Sequence, residues 1–553
     1  MHFDLLYEEI GEFGIYAKYV VLIGSLSSTY AGLLFINTVF TLAIPKHRCA
    51  LPGWNNDTYA VQDIHHFDAI NRTIPHAAKS LDYEYDKCHY KEWKDGEVIL
   101  RECNSWVYDR SIFKSSLAAD MNMVCDRVIL KSNAQMIFFS GFLAGSLLTG
   151  MFSDRFGRKT TTCLSSIFYV LVAISITWTP SYSIYVLLNF SVGFFAVGNF
   201  MPVYVTCMEF VGPSKRRLSG SIGSYYWVMG NMCLAGLAYA IRDWQHLQIA
   251  CAAPGILFQL FWIIYPESPR WLLGKGRQEE AKVVLRKAAK WSKVDLSEKV
   301  LDNITTPDDS PFTGTIFHLF KYKSLLIRTL VVYFNWLVVC ITYYGLAFNS
   351  ADLYGDIYLN FFLQCLMDLP ATTMVLLVID RSGRKALLCG CMFISGIGCL
   401  STIFTILYAG EEYTVSTSVL VMIAKFGASA AFSTVYIYTG ELYPTSVRNS
   451  AMGSSSMMAR VGGMIAPYVA DLDRLVSESF GKALPQVVFG TLCIIAGLLA
   501  LMLPETLNKT LPETVEDCRN LDMKIEVTIK NSTKGDESHV NKAFEDEETN
   551  TKL

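Results

Sequence analysis

Asp154-Arg155-Phe156-Gly157-Arg158-Lys159 and Asp380-Arg381-Ser382-Gly383-Arg384-Lys385 are near copies 226 positions apart (380 − 154), each set between long apolar runs. Two more markers repeat in the same order. Glu209 and Arg216 recur as Glu441 and Arg448 at an offset of 232 (441 − 209), and Pro266-Glu267-Ser268-Pro269 is echoed by Pro504-Glu505-Thr506 at 238 (504 − 266). Three markers in one order at nearly one spacing indicate a duplicated half. Secondary transporters use that design, in which two bundles rock about a site at their interface.

Working outward, 52% hydrophobic and 13% aromatic residues with a mean hydropathy of +0.30 are too apolar for a soluble chain of 553 residues. A bilayer core of about 30 Å needs about 20 apolar residues per helix. Twelve such runs are present: 17–44, 133–152, 161–179, 182–206, 220–241, 247–265, 325–347, 356–379, 386–408, 416–438, 450–470 and 484–503. The expectation is an all-α membrane protein of twelve transmembrane helices in two six-helix halves, 17–265 and 325–503. Lys and Arg gather in 153–160, 211–218, 266–324 and 380–385, which the span count places on one side, the cytoplasmic one by the positive-inside rule. Residues 1–16 hold no Lys or Arg, so the cytoplasmic placement of both termini follows from counting spans; no cleavable signal peptide is evident.

Residues 46–131 are too long and polar for an ordinary connection and predict a small extracellular domain. It contains Cys49, Cys88, Cys103 and Cys125, which allow three pairings, and the sequons at Asn56 and Asn71; together these fit an oxidising, glycosylated location. Sequons at Asn303 and Asn531 fall on the expected cytoplasmic side. The linker 266–324 includes Arg277–Trp291, where Ala281, Val284, Leu285 and Ala288 make an apolar stripe opposite Lys282, Arg286, Lys287 and Lys290. The basic face of this amphipathic helix lies on anionic headgroups, packs beneath the bundle or is solvated. The tail, 504–553, reads as disordered, and its end, Thr551-Lys552-Leu553, suits strand addition to a PDZ domain.

Three stretches together, Gly150-Met151-Phe152-Ser153-Asp154-Arg155-Phe156-Gly157-Arg158-Lys159, Pro266-Glu267-Ser268-Pro269-Arg270-Trp271-Leu272 and Gly440-Glu441-Leu442-Tyr443-Pro444-Thr445-Ser446-Val447-Arg448-Asn449, resemble the organic cation, anion and carnitine transporter family of the major facilitator superfamily. The likeness covers nearly the whole chain apart from its tail. It implies a major-facilitator fold, a plasma-membrane location and transport of a small organic ion. One departure is Leu376 in the second loop motif where the first has Gly150, which makes close helix contact less assured in the second half.

Whatever the family, Asp154, Arg155, Arg158 and Lys159, with Asp380, Arg381 and Arg384, sit where one helix ends and the next begins. A carboxylate there can bind a neighbouring helix amino end, and basic groups can pair with acids across the bundle. Glu209 with Arg216, and Glu441 with Arg448, are expected to serve the same latch in each half, one that forms in one state and breaks in the other. The competing reading is a static topology anchor.

Charges inside spans cost roughly 2.5–3.5 kcal/mol at the bilayer centre and should face a partner or a wet cavity. Three qualify: Asp368, Lys425 and Arg460. Arg460 is expected to sense substrate, against an ion pair with Asp368 or a snorkel to the helix end. Lys425, read as starting its span, has snorkelling as an equal alternative, and Asp368 before Leu369-Pro370 has a structural one. Aromatics for an organic ion include Tyr225, Tyr226, Trp227, Trp336, Tyr343, Tyr344, Tyr436 and Tyr438; the family likeness singles out Trp227 and Tyr344. Asn37, Asn199, Asn231, Asn335 and Gln364 bind substrate or join helices.

The resemblance divides on substrate sign. In cation-selective relatives the position matching Arg460 is typically acidic, and in the anion and carnitine branches it is basic. Met457-Met458-Ala459-Arg460-Val461-Gly462 and Asp368-Leu369-Pro370-Ala371 look like anion carriers, but those commonly follow that alanine with Lys, and here stands Thr372. Lys425-Phe426-Gly427 and Gly355-Asp356-Ile357-Tyr358 look like the carnitine branch and its invertebrate cation-carrier relatives. The reading is an organic cation or carnitine-like zwitterion carrier first and an anion exchanger second. A transport-inactive sensor is the rival of another class. A seven-span receptor would have no half repeat. An enzyme would need a nucleophile with a base or a metal cluster, and His65-His66 is a lone pair without a two-Cys motif or a phosphate-cradling glycine loop. No cofactor, metal or nucleic-acid partner is expected.

Overall fold

The computed structural model describes residues 7, 10–76, 85–95, 97–294, 319–320, 323–351, 355–408, 414–472, 481–509 and 512. Asn303, Asn531 and the terminal Thr551-Lys552-Leu553 lie outside them. The chain opens with α1 (Ile15–Phe35) and a short α2 (Thr38–Thr41), then the small domain. That domain holds β1 (His47–Cys49), α3 (Ile64–Thr73), β2 (His89–Lys94), β3 (Glu97–Glu102), β4 (Trp106–Tyr108) and α4 (Leu117–Asp120). The first half continues through α5 (Ile129–Phe156), α6 (Arg158–Ser175), α7 (Tyr182–Glu209), α8 (Arg216–Ala240) and α9 (Trp244–Ala252), which runs through a 3-10 stretch into α10 (Phe261–Ile264). Two helices follow, α11 (Pro269–Gly274) and α12 (Gln278–Ser292). The second half comprises α13 (Lys323–Phe348), α14 (Ile357–Ser382), α15 (Arg384–Tyr408), α16 (Thr414–Leu442), α17 (Thr445–Ala470) and α18 (Leu484–Ala500).

Helical segments thus occupy all twelve expected runs. Among the described residues nine are long and apolar enough to cross a membrane. The three that fall short do so for local reasons: α18 has only 17 residues, while α8 and α17 carry basic residues and many Ser and Gly. The first run, expected as one helix, is broken: α1 ends at Phe35, and Ile36 leaves the helical region before Asn37 starts a new turn.

Packing repeats between halves, α1 on α8 as α13 on α17, and α5 on α7 as α14 on α16. The α5–α7 contact is close because a Cβ at Gly141 or Gly145 would collide with the carbonyl of Phe190 or Phe194. The halves meet along α5 against α17 and α8 against α14. Gly150 sits away from any such contact, since a Cβ there would meet open space, so the contrast drawn with Leu376 does not apply in this structure.

In the small domain β1 pairs antiparallel with β4, and β2 with β3 as a hairpin. Disulfides Cys49–Cys103 and Cys88–Cys125 choose among the three pairings, around a core of Leu51, Ile70 and Ile74. His66 is fully buried. Gln62 N donates to its Nδ1 at 3.1 Å, so Nε2–H faces Asp57, 2.9 Å away, and Arg48 completes a buried triad. The domain is fastened to the bundle by Ser115 Oγ donating to Asp243 at 2.7 Å and Trp244 Nε1 donating to Asp120 at 2.7 Å.

At the opposite end, α12 packs beneath α1. Ala281, Leu285 and Ala288 are buried, and Trp291 lies edge-on to Tyr16 at 5.4 Å. The apolar stripe of this amphipathic helix thus finds the aromatic foot of α1.

Candidate functional site

Five helices bring side chains together between the halves. Phe35 of α1 packs against Phe138, Phe139 and Phe142 of α5, Trp227 of α8 and Tyr344 of α13, with ring centroids 5.0–5.5 Å apart. Phe139 also meets Tyr344 at 5.0 Å. Asn231 fixes Trp227 by accepting from its Nε1 at 3.0 Å while donating to Gly32 O at 2.9 Å. Onto this cluster α17 sets Arg460, whose guanidinium carbon lies 5.0 Å from the centre of the Phe142 ring.

Arg460 is 7% exposed, and its Nη1 turns back one helical turn to Ser456, 2.9 Å from the carbonyl and 2.5 Å from the hydroxyl. Its Nε has no hydrogen-bond partner. Among the described residues Arg460 makes no ion pair, so neither Asp368 nor a snorkel accounts for it. A buried cation held by its own helix and an aromatic face keeps donor capacity for an incoming acceptor.

Beside it in the second half, Tyr343 links the other two deep charges. Its hydroxyl donates to Asp368 at 2.9 Å, and Lys425 Nζ donates to its carbonyl at 2.9 Å while lying 3.3 Å from its ring centre. Lys425 stands well inside α16 and is 2% exposed, which overturns the snorkelling alternative. Asp368 Oδ1 is unpartnered, as are both ends of Gln364, one turn earlier on α14. Trp336, bonded to Thr439 and packed on Tyr436, and Tyr438, bonded to Pro504 O, belong to the core of the second half. Tyr225 crosses between halves to Thr373 at 2.7 Å.

Toward the small domain the halves are closed by groups the sequence reading did not single out. Lys131 of α5 meets Asp471, just past α17, at 2.8 Å, Ser132 adds a bond at 2.7 Å, and Tyr468 donates to Asn133 at 2.6 Å. At the far end Arg217 of α8 pairs with Asp380 of α14 at 2.5 Å, both well exposed.

The loop motifs sit at that far end, and their roles differ from those expected. The carboxylate at the amino end of α6 is Glu267, which accepts from Arg158 N at 2.9 Å and Lys159 N at 3.2 Å; Asp154 is exposed and pairs with Arg158 at 3.1 Å. Glu505 does the same for α15, accepting from Arg384 N at 2.9 Å and Lys385 N at 3.1 Å. Gly157 and Gly383 have φ of +104° and +88°, and a Cβ on either would press into the Glu267 or Glu505 carboxylate. Burial outweighs the N–H donors and holds Glu267 above the usual carboxylate range. Glu209 and Glu441, expected to serve a latch in each half, take basic partners within their own halves, while Asp380 reaches across to Arg217. Glu209 lies 3.6 Å from Arg158, and Glu441 takes Arg384 at 2.9 Å with Thr506 at 2.6 Å. Arg448 donates to Tyr443 O at 3.3 Å; Arg155 and Arg381 are exposed, and Arg216 begins α8. The third echo, Pro-Glu, was the signal for the capping residues.

Residues 85–517 match the model of the sugar (and other) transporter family. The chain is 36% identical over 539 residues to the Drosophila melanogaster organic cation transporter protein, covering 95% of this chain and 96% of that one. It is 30% identical over 526 residues to human organic cation/carnitine transporter 2, covering 92% of each. Among solved structures, the xylose transporter XylE from E. coli, in a partially occluded inward-open conformation, matches with a TM-score of 0.60 at 15% identity, over 89% of this chain and 100% of that one. With its half repeat, twelve-helix bundle and these relatives, the chain belongs to the organic cation and carnitine transporter family of the major facilitator superfamily.

Proposed function

We propose that this transporter carries organic cations or carnitine-like zwitterions across the plasma membrane by alternating access, with the cluster around Arg460 as its binding site. The observation that carries this reading is a buried guanidinium that has no carboxylate partner among the described residues, set against an aromatic group from both halves. A substrate carboxylate would take the Arg460 Nε–H, and a quaternary ammonium would lie among Phe35, Trp227 and Tyr344. Asp368, Lys425, Gln364 and Tyr225 would border the same space from the second half and the α8–α14 seam. The organic anion exchanger is the second reading, favoured because Lys425 and Arg460 outnumber Asp368.

The basic, motif-bearing end supports a cytoplasmic assignment by the positive-inside rule, and the disulfide-bonded domain supports an extracellular one for the other end. Both termini are then cytoplasmic, and Thr551-Lys552-Leu553 is available to a PDZ domain. Asn56 is exposed and suited to a glycan, whereas Asn71 accepts a bond from Tyr85 at 2.8 Å. The test is uptake of labelled carnitine, tetraethylammonium and para-aminohippurate by cells expressing the intact chain or Arg460→Asp, with and without sodium. The expected result is uptake of carnitine and tetraethylammonium, with the variant losing carnitine alone. Entry of para-aminohippurate alone moves the assignment to the anion exchanger, and no flux at all favours a sensor.

A further inference from the structure

One face of α5 carries Lys131, Gln135, Phe138, Phe139 and Phe142, at the three- and four-residue steps that keep side chains on one side of a helix. Lys131 reaches Asp471, Phe139 packs on Phe35 and Tyr344, and Phe142 lies against Arg460, so this is the face turned to α1, α13 and α17. Gln135 stands in its middle, one turn from the Lys131–Asp471 bridge and one turn from Phe138 and Phe139. It is 2% exposed, and among the described residues neither its Oε1 nor its Nε2 has a hydrogen-bond partner. The half repeat supports the same placement independently. Taking the 226-residue offset of the loop motifs from α14 puts Gln364 at 138 (364 − 226) and Asp368 at 142 (368 − 226), on the equivalent face. Gln364 is likewise 2% exposed with both amide atoms unpartnered among the described residues.

We infer that Gln135 is a specificity-determining residue of the transport site, selecting organic ions that carry a hydroxyl near their charge. The inference rests on the Arg460 cluster being the binding site, and it adds to that site a residue and a chemical feature of the substrate. A buried amide without partners has lost its hydrogen bonds to water and regained none. Amides that join helices do regain them: Asn189 donates to Ala134 O at 2.8 Å, and Asn231 donates to Gly32 O while accepting from Trp227. Gln135 does neither, so its bonding capacity is kept for what enters the cluster. One carbonyl acceptor and two N–H donors complement a group that both gives and takes a hydrogen bond, as a hydroxyl does. The charged parts of the substrate have other hosts, a carboxylate at Arg460 and an ammonium among the aromatic rings. A substrate lacking the hydroxyl leaves the amide unpaired, and that cost is what makes such a residue selective.

The test compares pairs of ions that differ by one hydroxyl: carnitine with γ-butyrobetaine, choline with ethyltrimethylammonium, and 3-hydroxybutyrate with butyrate. The full chain and Gln135→Met, an apolar replacement of similar shape, are expressed in cells for uptake and purified for thermal unfolding. In the intact chain the hydroxyl member of the transported pair should have the lower KM, by roughly tenfold. In Gln135→Met the two members should become equal, through loss on the hydroxyl member. Without any ligand, the unfolding midpoint of Gln135→Met should match or exceed that of the intact chain, since an unpartnered amide contributes nothing to folding. A clearly lower midpoint would mean that the amide bonds inside the protein, and a hydroxyl preference that survives in the variant would place selection elsewhere. Either result overturns the inference, as does an intact chain indifferent to the hydroxyl in every pair. Which pair enters reports separately on substrate charge: flux of the anion pair alone refutes the cation and zwitterion reading, and Gln135 is then judged on that pair.

Discussion

Replacing Asp471 by Asn tests whether the Lys131–Asp471 bridge holds the domain end of the molecule shut. Both side chains are 5% exposed, they meet at 2.8 Å, and Ser132 donates to the same carboxylate at 2.7 Å. Neutralising Asp471 leaves Lys131 buried without that countercharge, and breaking a buried pair from one side costs about 3–5 kcal/mol. The cost falls on the closed arrangement, because a rocking motion that separates α5 from α17 lets water reach Lys131. Taking the lower figure, and a tenfold change for every 1.4 kcal/mol, the balance moves by roughly a hundredfold toward the arrangement open at the domain end. The assay is the rate at which a membrane-impermeant maleimide labels a cysteine at Phe348, a residue 4% exposed and packed across the seam on Phe139. Phe348→Cys in the Asp471→Asn background should label at least tenfold faster than Phe348→Cys alone. The exchange of charges, Lys131→Asp with Asp471→Lys, should restore slow labelling. If Asp471→Asn labels no faster, the bridge is a static fastening and the gate assignment is refuted.

Removing the capping carboxylate with Glu267→Ala should cost about 1–2 kcal/mol, read as a lower unfolding midpoint. Gly157→Ala should cost more, because it adds backbone strain at φ +104° to displacement of that carboxylate; an equal or smaller loss would contradict the cap geometry. In the small domain, burial pushes the Asp57 carboxyl up, but hydrogen bonds from Arg48, Leu51 N and His66 and the Arg48 charge outweigh it and hold the group below the ordinary range. Its contribution to stability is therefore complete above the unfolded value of about 3.9 and is lost as pH falls through the lower folded value. Pepsin cleavage within residues 50–76 should rise across that window and should already be high above it in Asp57→Asn; cleavage independent of Asp57 would count against the triad.

Much of the architecture was legible because hydrophobic runs and a repeated loop motif are long-range statistics that survive local detail. All twelve runs are helical, and the pairing of α1 with α8 and α13 with α17 is what two copies of one half require. What escaped were contacts set by three-dimensional register. The break at Ile36 carries no Gly or Pro to announce it. The bridge from Lys131 to Asp471 joins two residues that flank apolar runs and look like ordinary helix-end charges. The capping acids lay in view in the Pro-Glu echo, but only the fold shows that they reach back across a whole bundle to α6 and α15. Arg460 stood out because a charge inside a span is rare, and Trp227 and Tyr344 through the family likeness, whereas Phe35, Phe139 and Phe142 are indistinguishable from lipid-facing phenylalanines until α1 and α5 are placed.

The distribution of charge contacts bears on how such a bundle moves. Arg158 with Glu209 and Glu267, and Arg384 with Glu441 and Glu505, tie each half to itself. Among the described residues, charge pairs between halves include the buried Lys131–Asp471 bridge at one end and the exposed Arg217–Asp380 pair at the other. An exposed pair contributes only about 0–1 kcal/mol and is screened by salt. Of these two pairs the buried one is therefore the costlier to part in a rocking motion that keeps the internal networks intact. The expected consequence is that substrate binding assists opening at the domain end more than at the motif end. The group best placed to feel both events is Arg460, which stands on the same helix, α17, that leads to Asp471.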